Sequence, residues 1–218
     1  MISERIYLTL CTLFAVLIVT GNLVYQKFVI LPILPFHTFE LSIGAILYPF
    51  TFMISDLLAE FYGREKARFC VKLALSLNIL IAFIIFGMDH LPATSWSTID
   101  NHTFHQVFGH TVPASLISVT AAYVSQRFDI STYLFIRNKT GWLGLSNFAA
   151  TSLSLFIDTC IVVSILNFLG LIPAGQAYWL IFNGYLFKFC LAICNVPFFY
   201  ASLAIIRKLR MDLKTSSS

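Results

Sequence analysis

Asp158 and Lys188 are ionisable residues that lie inside long apolar stretches of the sequence. A charge in hydrocarbon costs roughly 2.5–3.5 kcal/mol even on lenient insertion scales, so such residues usually bind or couple something. We expect the two residues near the middle of consecutive antiparallel helices, where a carboxylate and an ammonium group can form a salt bridge. The alternative is a neutralising pair that only holds two helices together. Because small residues can hold helices together without that cost, the pair is predicted to be functional.

Asp56 and Glu60 form a second group of ionisable residues. They are four residues apart, so on a helix they share one face. Both lie near the end of an apolar stretch and precede a basic segment, residues 64–68. Two such carboxylates could bind a ligand or carry a coupling proton. The alternative is a solvated helix end, where they pair with Arg64 or Arg68.

A polar segment in the middle of the chain is rich in histidine. It contains His90, His102, His105 and His110. The spacing of His102 and His105 could hold a metal on a helix, but no cysteine or clear carboxylate completes the ligand set. We therefore predict no metal and no cofactor, with a membrane metalloenzyme that uses these histidines with Asp89 or Asp100 as a minor alternative.

Enzyme signatures are missing from the sequence. It contains no GxSxG, no HExxH and no P-loop, which argues against a hydrolase or an ATPase. The five cysteines form no CxxC pair, so neither a zinc site nor a disulfide framework is indicated. We predict that the protein is not an enzyme.

The elements that must position the charged residues are apolar stretches long enough to cross a bilayer, which takes about 20 residues per helix. Hydrophobic residues make up 58% of the chain and charged residues 11%, which excludes an ordinary soluble domain. The predicted spans are Ile6–Val24, Leu41–Ala59, Phe69–Gly87, Gly109–Gln126, Phe148–Leu171 and Tyr178–Ile206. The first exceeds the usual h-region of a signal peptide, about 7–15 residues, and no cleavage motif follows it. The fold class is predicted to be all-α integral membrane, with six transmembrane helices in a single domain, residues 1–218, and a disordered tail, Thr215–Ser218.

The distribution of basic residues predicts the orientation of these helices. Twelve of the 14 lysines and arginines lie at the two termini and in the connections after the second and fourth spans, whereas the opposite connections contain only Lys27. Because cytoplasmic loops carry the excess of positive charge, both termini are predicted to be cytoplasmic. The net charge of +4 therefore reflects topology and anionic lipid, and does not indicate nucleic-acid binding.

The segment SDLLAEFYG, residues 55–63, together with the basic residues that follow it, resembles the signature of the queuosine precursor transporters, also called the vitamin uptake transporter family. Other similar segments follow in the family's order: His37-Thr38, SLFIDT around Asp158, YLFK around Lys188, and Pro197. The resemblance extends from about Asn22 to the basic end of the sixth span.

This resemblance implies a multi-pass importer in the bacterial inner membrane. Its substrates would be 7-deazaguanine bases (preQ0, preQ1 or queuine), moved by secondary transport. The positions expected to bind or couple are Asp56, Glu60, Asp158 and Lys188. A carboxylate such as Asp158 can accept the adjacent N–H donors of such a base, and Lys188 can donate to its carbonyl oxygen. Further candidate contacts are the amide of Asn22 and the aromatic rings of Phe156, Tyr185, Phe187 and Trp179.

Two questions about partners stay open at this point. The chain could be the substrate-binding subunit of an energy-coupling-factor importer, which needs separate ATPase subunits. The small-xxx-small docking pattern of those subunits is missing from the first span, where Ala15 has no partner at the right spacing. A homodimer is also open, although no GxxxG run supports it.

Overall fold

The fold consists of seven helices, one short 3-10 helix and one β-hairpin within the part of the chain that the structure describes. The computed structural model describes residues 2–34, 37–173 and 175–194. In chain order the elements are α1 (Ile2–Leu23), β1 (Phe28–Leu34), β2 (His37–Ser42), the 3-10 helix (Ile43–Leu47), α2 (Tyr48–Tyr62), α3 (Arg64–Asp89), α4 (Asn101–Phe108), α5 (Thr111–Thr140), α6 (Leu143–Phe168) and α7, described over Ala177–Cys194.

Five helical segments are long and apolar enough to cross a membrane. They are Glu4–Leu23, Glu65–Asp89, Asn101–Thr140, Phe148–Phe168 and Ala177–Cys194. Each overlaps one of the predicted spans, and large apolar side chains such as Phe69 and Phe83 are exposed on their surfaces. Helices satisfy their own backbone hydrogen bonds, which lipid requires. The helical membrane architecture is confirmed at this level.

The second predicted span, Leu41–Ala59, is wrong as a single helix. Its residues form the end of β2, the 3-10 helix and most of α2. The 15 residues of α2 give a length of about 22 Å, which is less than the hydrocarbon thickness of about 30 Å. Hydropathy detected an apolar stretch correctly, but it cannot distinguish one continuous helix from three short elements.

The boundaries of two other spans also differ from the prediction. Helix α5 continues to Thr140 instead of ending at Gln126, and α3 begins at Arg64 instead of Phe69. The residues at the start of α3, REK, are good helix formers, so this helix begins before its apolar part. The extension of α5, residues 127–140, contains no glycine or proline to end the helix before Gly141. The segment with Arg127 and Lys139, predicted to be a connection, is therefore helical.

The β-hairpin, Phe28–Ser42, lies mostly between the first and second predicted spans, where no strand was predicted. Its strands are antiparallel, with Phe28 opposite Ser42 and Leu31 opposite Phe39. The register is irregular between Leu31 and Leu34, a stretch that contains Pro32, which has no N–H to donate to the ladder. Residues 1, 35–36, 174 and 195–218 lie outside the described residues. They include the predicted tail and the end of the sixth span.

Three apolar clusters hold these elements together. Phe14, Ile54, Leu58, Cys70 and Ala74 join α1, α2 and α3, and Ile117 with Leu166 joins α5 to α6. The third cluster packs the hairpin on α7. Gly44 of the 3-10 helix also lies so close to Gly21 of α1 that a Cβ at position 44 would collide with the Gly21 backbone. These contacts fix the start of α2 beside α6 and α7.

Candidate functional site

The centre of the site is an ion pair between α6 and α7. Lys188 Nζ donates to Asp158 Oδ2 at 2.7 Å, and the two side chains are 10% and 7% exposed. The pair lies about 15 Å along α6 from its end at Phe168, which is roughly half the thickness of a bilayer core. The salt bridge considered from the sequence is therefore present in the structure.

Tyr48, the first residue of α2, completes the pair. Its hydroxyl donates to the same Asp158 Oδ2 atom at 3.2 Å, and Lys188 Nζ lies 4.3 Å from the centroid of the Tyr48 ring. A cation over an aromatic face is stabilised by about 0.5–2 kcal/mol. Helix α2 begins here because Pro49 is favoured in the first turn, where its missing N–H costs nothing.

The two oxygens of Asp158 are not equivalent. Oδ2 accepts from both Lys188 and Tyr48, whereas no residue in the described part of the chain donates to Oδ1. A carboxylate oxygen has about two acceptor positions, so Oδ2 is fully used and Oδ1 is available to a further donor. The arrangement can therefore accept a hydrogen bond from a polar ligand without first breaking the ion pair.

A second buried polar contact links the hairpin to α7. His37 Nε2 lies 2.8 Å from Asn183 Oδ1, and Asn183 Nδ2 donates to the Trp179 carbonyl at 3.0 Å. Because the Asn183 amide hydrogen already goes to a carbonyl, Oδ1 is the acceptor and Nε2 of His37 carries the hydrogen. Asn183 is completely buried, so this contact fixes the hairpin on α7.

Aromatic rings surround this contact. The ring of His37 lies 4.8 Å from Phe39 and 6.0 Å from Trp179, both measured between centroids. Phe39 in turn packs on Phe187 at 5.6 Å, and both are almost fully buried. Phe187, a predicted contact, precedes Lys188, so the aromatic cluster and the ion pair share this part of α7.

Phe156 and Tyr185, two other predicted contacts, pack against each other. Their ring centroids are 5.4 Å apart, and Phe156 is 44% exposed. Two residues along a helix correspond to a rotation of about 200°, so Phe156 points away from the side of α6 that carries Asp158. The structure does not bring Phe156 to the ion pair.

The remaining predicted site residues are dispersed. Asn22 donates within α1 to the Ile18 carbonyl at 3.2 Å. Asp56 and Glu60 belong to α2, but their side chains lie outside the described part of the structure. Their predicted role stays a prediction.

The histidine-rich segment contains one contact between a histidine and an aspartate. His105 Nδ1 pairs with the carboxylate of Asp89, one of the two aspartates that the sequence analysis considered beside these histidines. The described residues nevertheless contain no group of three or more His, Cys, Asp and Glu side chains that could hold a metal. Nearby, hydrogen bonds from the Thr103 side chain and backbone N–H lower the pKa of Asp100, which caps α4.

Sequence reasoning missed Tyr48 and Asn183 and identified His37 only by resemblance. Pro49 was a usable signal, because a proline in an apolar stretch often marks the first turn of a helix and directs attention to the residue before it. Asn183 precedes Phe187 by one helical turn, so the two share a face. The contact of Lys188 with Tyr48 depends on packing between residues that lie far apart in the chain, which no local sequence pattern reveals.

Comparisons with known proteins identify the family of the chain. The family model described as "Putative vitamin uptake transporter" matches residues 42–202. A protein of Bacillus subtilis (strain 168) named "Probable queuosine precursor transporter" is 30% identical over 168 residues, which cover 76% of this chain and 72% of that protein. A protein of the same name from Haemophilus influenzae is 25% identical over 179 residues, 80% of this chain and 74% of that one.

No solved structure matches the chain. The family match covers well over half of the sequence, including every residue of the ion-pair site: Tyr48, Asp158 and Lys188. The chain therefore belongs to the vitamin uptake transporter family, whose signature the segment SDLLAEFYG resembles.

Proposed function

We propose that this protein imports queuosine precursors, the 7-deazaguanine bases preQ0, preQ1 or queuine, across the bacterial inner membrane by secondary transport. The observation that carries the proposal is the buried group of Tyr48, Asp158 and Lys188 between α2, α6 and α7. Both relatives named above are described as transporters of queuosine precursors, which supports the same substrate class.

The chemistry of the site suits such a base. A deazaguanine carries adjacent N–H donors on one edge and a carbonyl oxygen beside them, so a carboxylate and an ammonium group complement it. Asp158 Oδ1 can accept the first donor directly. A second donor needs Oδ2, which Lys188 and Tyr48 occupy. We therefore expect Lys188 to leave Asp158 and donate to the carbonyl oxygen of the base when it binds.

This exchange of partners keeps both charges satisfied throughout. The ammonium group moves from a carboxylate to a carbonyl, and the carboxylate gains N–H donors in return. A site without the ion pair would instead expose a bare charge whenever it was empty, which is costly in hydrocarbon. The pair thus stabilises the empty transporter and also recognises the substrate.

The membrane topology is part of the proposal. The 3-10 helix and α2 follow each other directly, and their combined length of about 32 Å is enough for one crossing. With the five long helices this gives six crossings. Both termini are then cytoplasmic, in agreement with the position of the basic residues.

The test uses a bacterial host that cannot make the precursors and lacks its own importer. Cells expressing the protein are fed preQ0, preQ1 or queuine at low concentration, and the queuosine content of tRNA is measured. The variant Asp158→Asn keeps the size of the side chain but removes its charge, and Asp100→Asn, outside the membrane core, is the matched control.

Restoration by the wild type and by Asp100→Asn, but not by Asp158→Asn, would support import through this site and identify the base. Normal uptake by an equally abundant Asp158→Asn variant would remove Asp158 from the site. No restoration by a well-inserted wild type, in a host shown to process each base, would contradict the proposed substrate. If import occurs in cells but not with purified protein in liposomes, a separate energising subunit is required.

A further inference from the structure

A cavity of about 210 Å³ lies between the end of α3 and the start of α4, and the site described above does not use it. Pockets for drug-sized ligands are about 300–1,000 Å³, so this cavity suits a smaller molecule. Its wall combines apolar side chains, among them Leu91, Ile99 and Phe104, with Asp89, the last residue of α3. The topology proposed above places this end of α3 on the outer side of the membrane.

The carboxylate of Asp89 has one paired and one unpaired oxygen. Its side chain is only 6% exposed. Oδ2 pairs with His105 Nδ1, whereas Oδ1 is buried and no described residue donates to it. A buried polar atom without a partner is unusual in a folded protein and often marks the place of a water, an ion or a ligand.

The ion pair in the membrane shows the same arrangement. In Asp158, as in Asp89, Oδ2 accepts a hydrogen bond from a basic side chain, and no described residue donates to Oδ1. A carboxylate held in this way keeps one oxygen for an N–H donor of a ligand. The donor edge of a base that can bind to Asp158 can therefore also bind to Asp89.

Hydrogen bonds hold the wall of the cavity in place before any ligand enters. The Ala93 N–H donates to Asn101 Oδ1 at 2.7 Å, which ties the loop after α3 to the first turn of α4. The Thr103 N–H donates to Asp100 Oδ1 at 2.8 Å, so the Asp100 carboxylate is engaged as the N-terminal cap of α4. A wall that is already ordered loses less conformational entropy when a ligand binds.

The orientation of His105 is fixed by Gly109, which follows the last turn of α4. A Cβ at position 109 would lie 2.6 Å from both Cε1 and Nδ1 of the His105 ring, so the ring lies in space that glycine leaves open. From there Nδ1 reaches Asp89 Oδ2. Residues 88–108 include no lysine or arginine, so no such cation of this segment competes for Oδ1.

Helix α4 also contacts the start of the hairpin. Gln26 Nε2 donates to the Val107 carbonyl at 2.7 Å, and β1 begins two residues after Gln26, at Phe28. The hairpin in turn packs on Phe187, the neighbour of Lys188. The cavity is thus joined, through α4 and the hairpin, to the elements around the ion pair.

We propose that this cavity is a second site for the imported base, where the base binds on the outer side before it reaches the ion pair. A small rotation of the Asp89 carboxylate turns Oδ1 towards the cavity, where it accepts an N–H of the base. The flat ring then lies against apolar side chains such as Leu91 and Phe104. This inference rests on the proposed function. A metal ion fits less well, because the described residues contain no group of three or more metal-ligating side chains.

The experiment measures how many molecules of the base bind to the purified full-length protein in detergent. The probe is the radiolabelled base that the wild type imports, and the method is equilibrium dialysis. Uptake by the same proteins in liposomes gives KM and kcat.

Four variants separate the two sites. Asp89→Asn keeps the size of the side chain and can still accept from His105, but it presents an amide N–H donor in place of the free oxygen. Ala93→Leu fills part of the cavity and leaves Asp89 in place. Asp158→Asn removes the charge from the ion pair. Asp100→Asn is the control for a general loss of negative charge, since asparagine caps a helix as well as aspartate does.

The wild type and Asp100→Asn should bind two bases per chain, whereas each of the other three variants should bind one. Asp89→Asn should also raise KM for uptake about tenfold with kcat unchanged, because it removes a charge-assisted hydrogen bond that is made before the translocation step. Ala93→Leu decides the matter if Asp89→Asn cannot be purified.

Several results would overturn the inference while leaving the proposed function intact. They are a single bound base in the wild type that is lost in Asp158→Asn, two bases bound by Asp89→Asn or Ala93→Leu, an equal loss in Asp100→Asn, or an unchanged KM in Asp89→Asn. A wild type that neither binds nor imports any of the three bases would instead contradict the proposed function, and the inference would fall with it.

Discussion

The ion pair between Asp158 and Lys188 should show strong energetic coupling. Replacing Lys188 with Met removes the ammonium group and leaves a carboxylate that is 7% exposed with only the Tyr48 hydroxyl, 3.2 Å away, as a partner. Breaking a buried pair in this way costs about 3–5 kcal/mol. Asp158→Leu should cost less, because Lys188 keeps its position over the Tyr48 ring, which contributes about 0.5–2 kcal/mol.

The double variant Asp158→Leu/Lys188→Met should be much more stable than the sum of the two single effects predicts. Replacing a buried pair with apolar residues of similar volume is often neutral, or stabilising by about 1–4 kcal/mol. We therefore expect the double variant to be close to the wild type in its free energy of unfolding. Its transport activity should still be absent, because it lacks the two groups that we propose recognise the base.

The measurement is unfolding of the wild type and the three variants in mixed micelles of mild detergent and SDS, combined with uptake by the same proteins in liposomes. Additive effects, with the double variant equal to the sum of the singles within about 0.5 kcal/mol, would contradict the paired geometry. A stable double variant that still imports the base would show that the pair only holds helices together.

Two further predictions concern the elements that position this site. Asn183→Leu should lower the free energy of unfolding by about 1–3 kcal/mol, because it leaves the half-buried imidazole of His37 without an acceptor. The double variant with His37→Phe, measured by the same unfolding assay, should recover part of that loss, and no recovery would argue against the contact. Gly44→Ala should destabilise the protein by about 1–3 kcal/mol, because the added Cβ collides with backbone of α1. Gly87→Ala, at a helical position with open space around it, is the control and should be neutral or slightly stabilising in thermal unfolding.

Much of the fold could be predicted because lipid makes apolar length informative. Five of the six apolar stretches correspond to helices long enough to cross a membrane, and the charges inside them identified Asp158 and Lys188. In those cases a local property, the length of an apolar run, determines the element. The salt bridge then followed from two consecutive antiparallel helices with charges at similar depth.

The prediction was wrong where the answer depends on contacts distant in sequence. The hairpin is stabilised by Phe39 packing on Phe187 and by His37 bonding to Asn183, residues that lie far apart in the chain. No sequence pattern within Phe28–Ser42 predicts these contacts with α7, and Pro32 argues against a regular strand. The continuation of α5 to Thr140 was hidden for a related reason, since charged residues beyond an apolar run resemble a loop until the helix is seen to continue.

The interrupted second span explains how Tyr48 reaches the ion pair. A continuous helix over Leu41–Ala59 would place position 48 in a helix interior, and Pro49 would then cost about 3 kcal/mol or more. Starting α2 at Tyr48 avoids that cost and sets the first helical residue beside Asp158. Non-helical backbone is tolerated at membrane depth where protein covers it, and the strands of the hairpin satisfy each other while α7 covers Phe39. Transporters commonly form their sites at such breaks, because a helix that is interrupted within the membrane can bring a side chain from the break to the site. The break in the second span is therefore best understood as the feature that assembles the site.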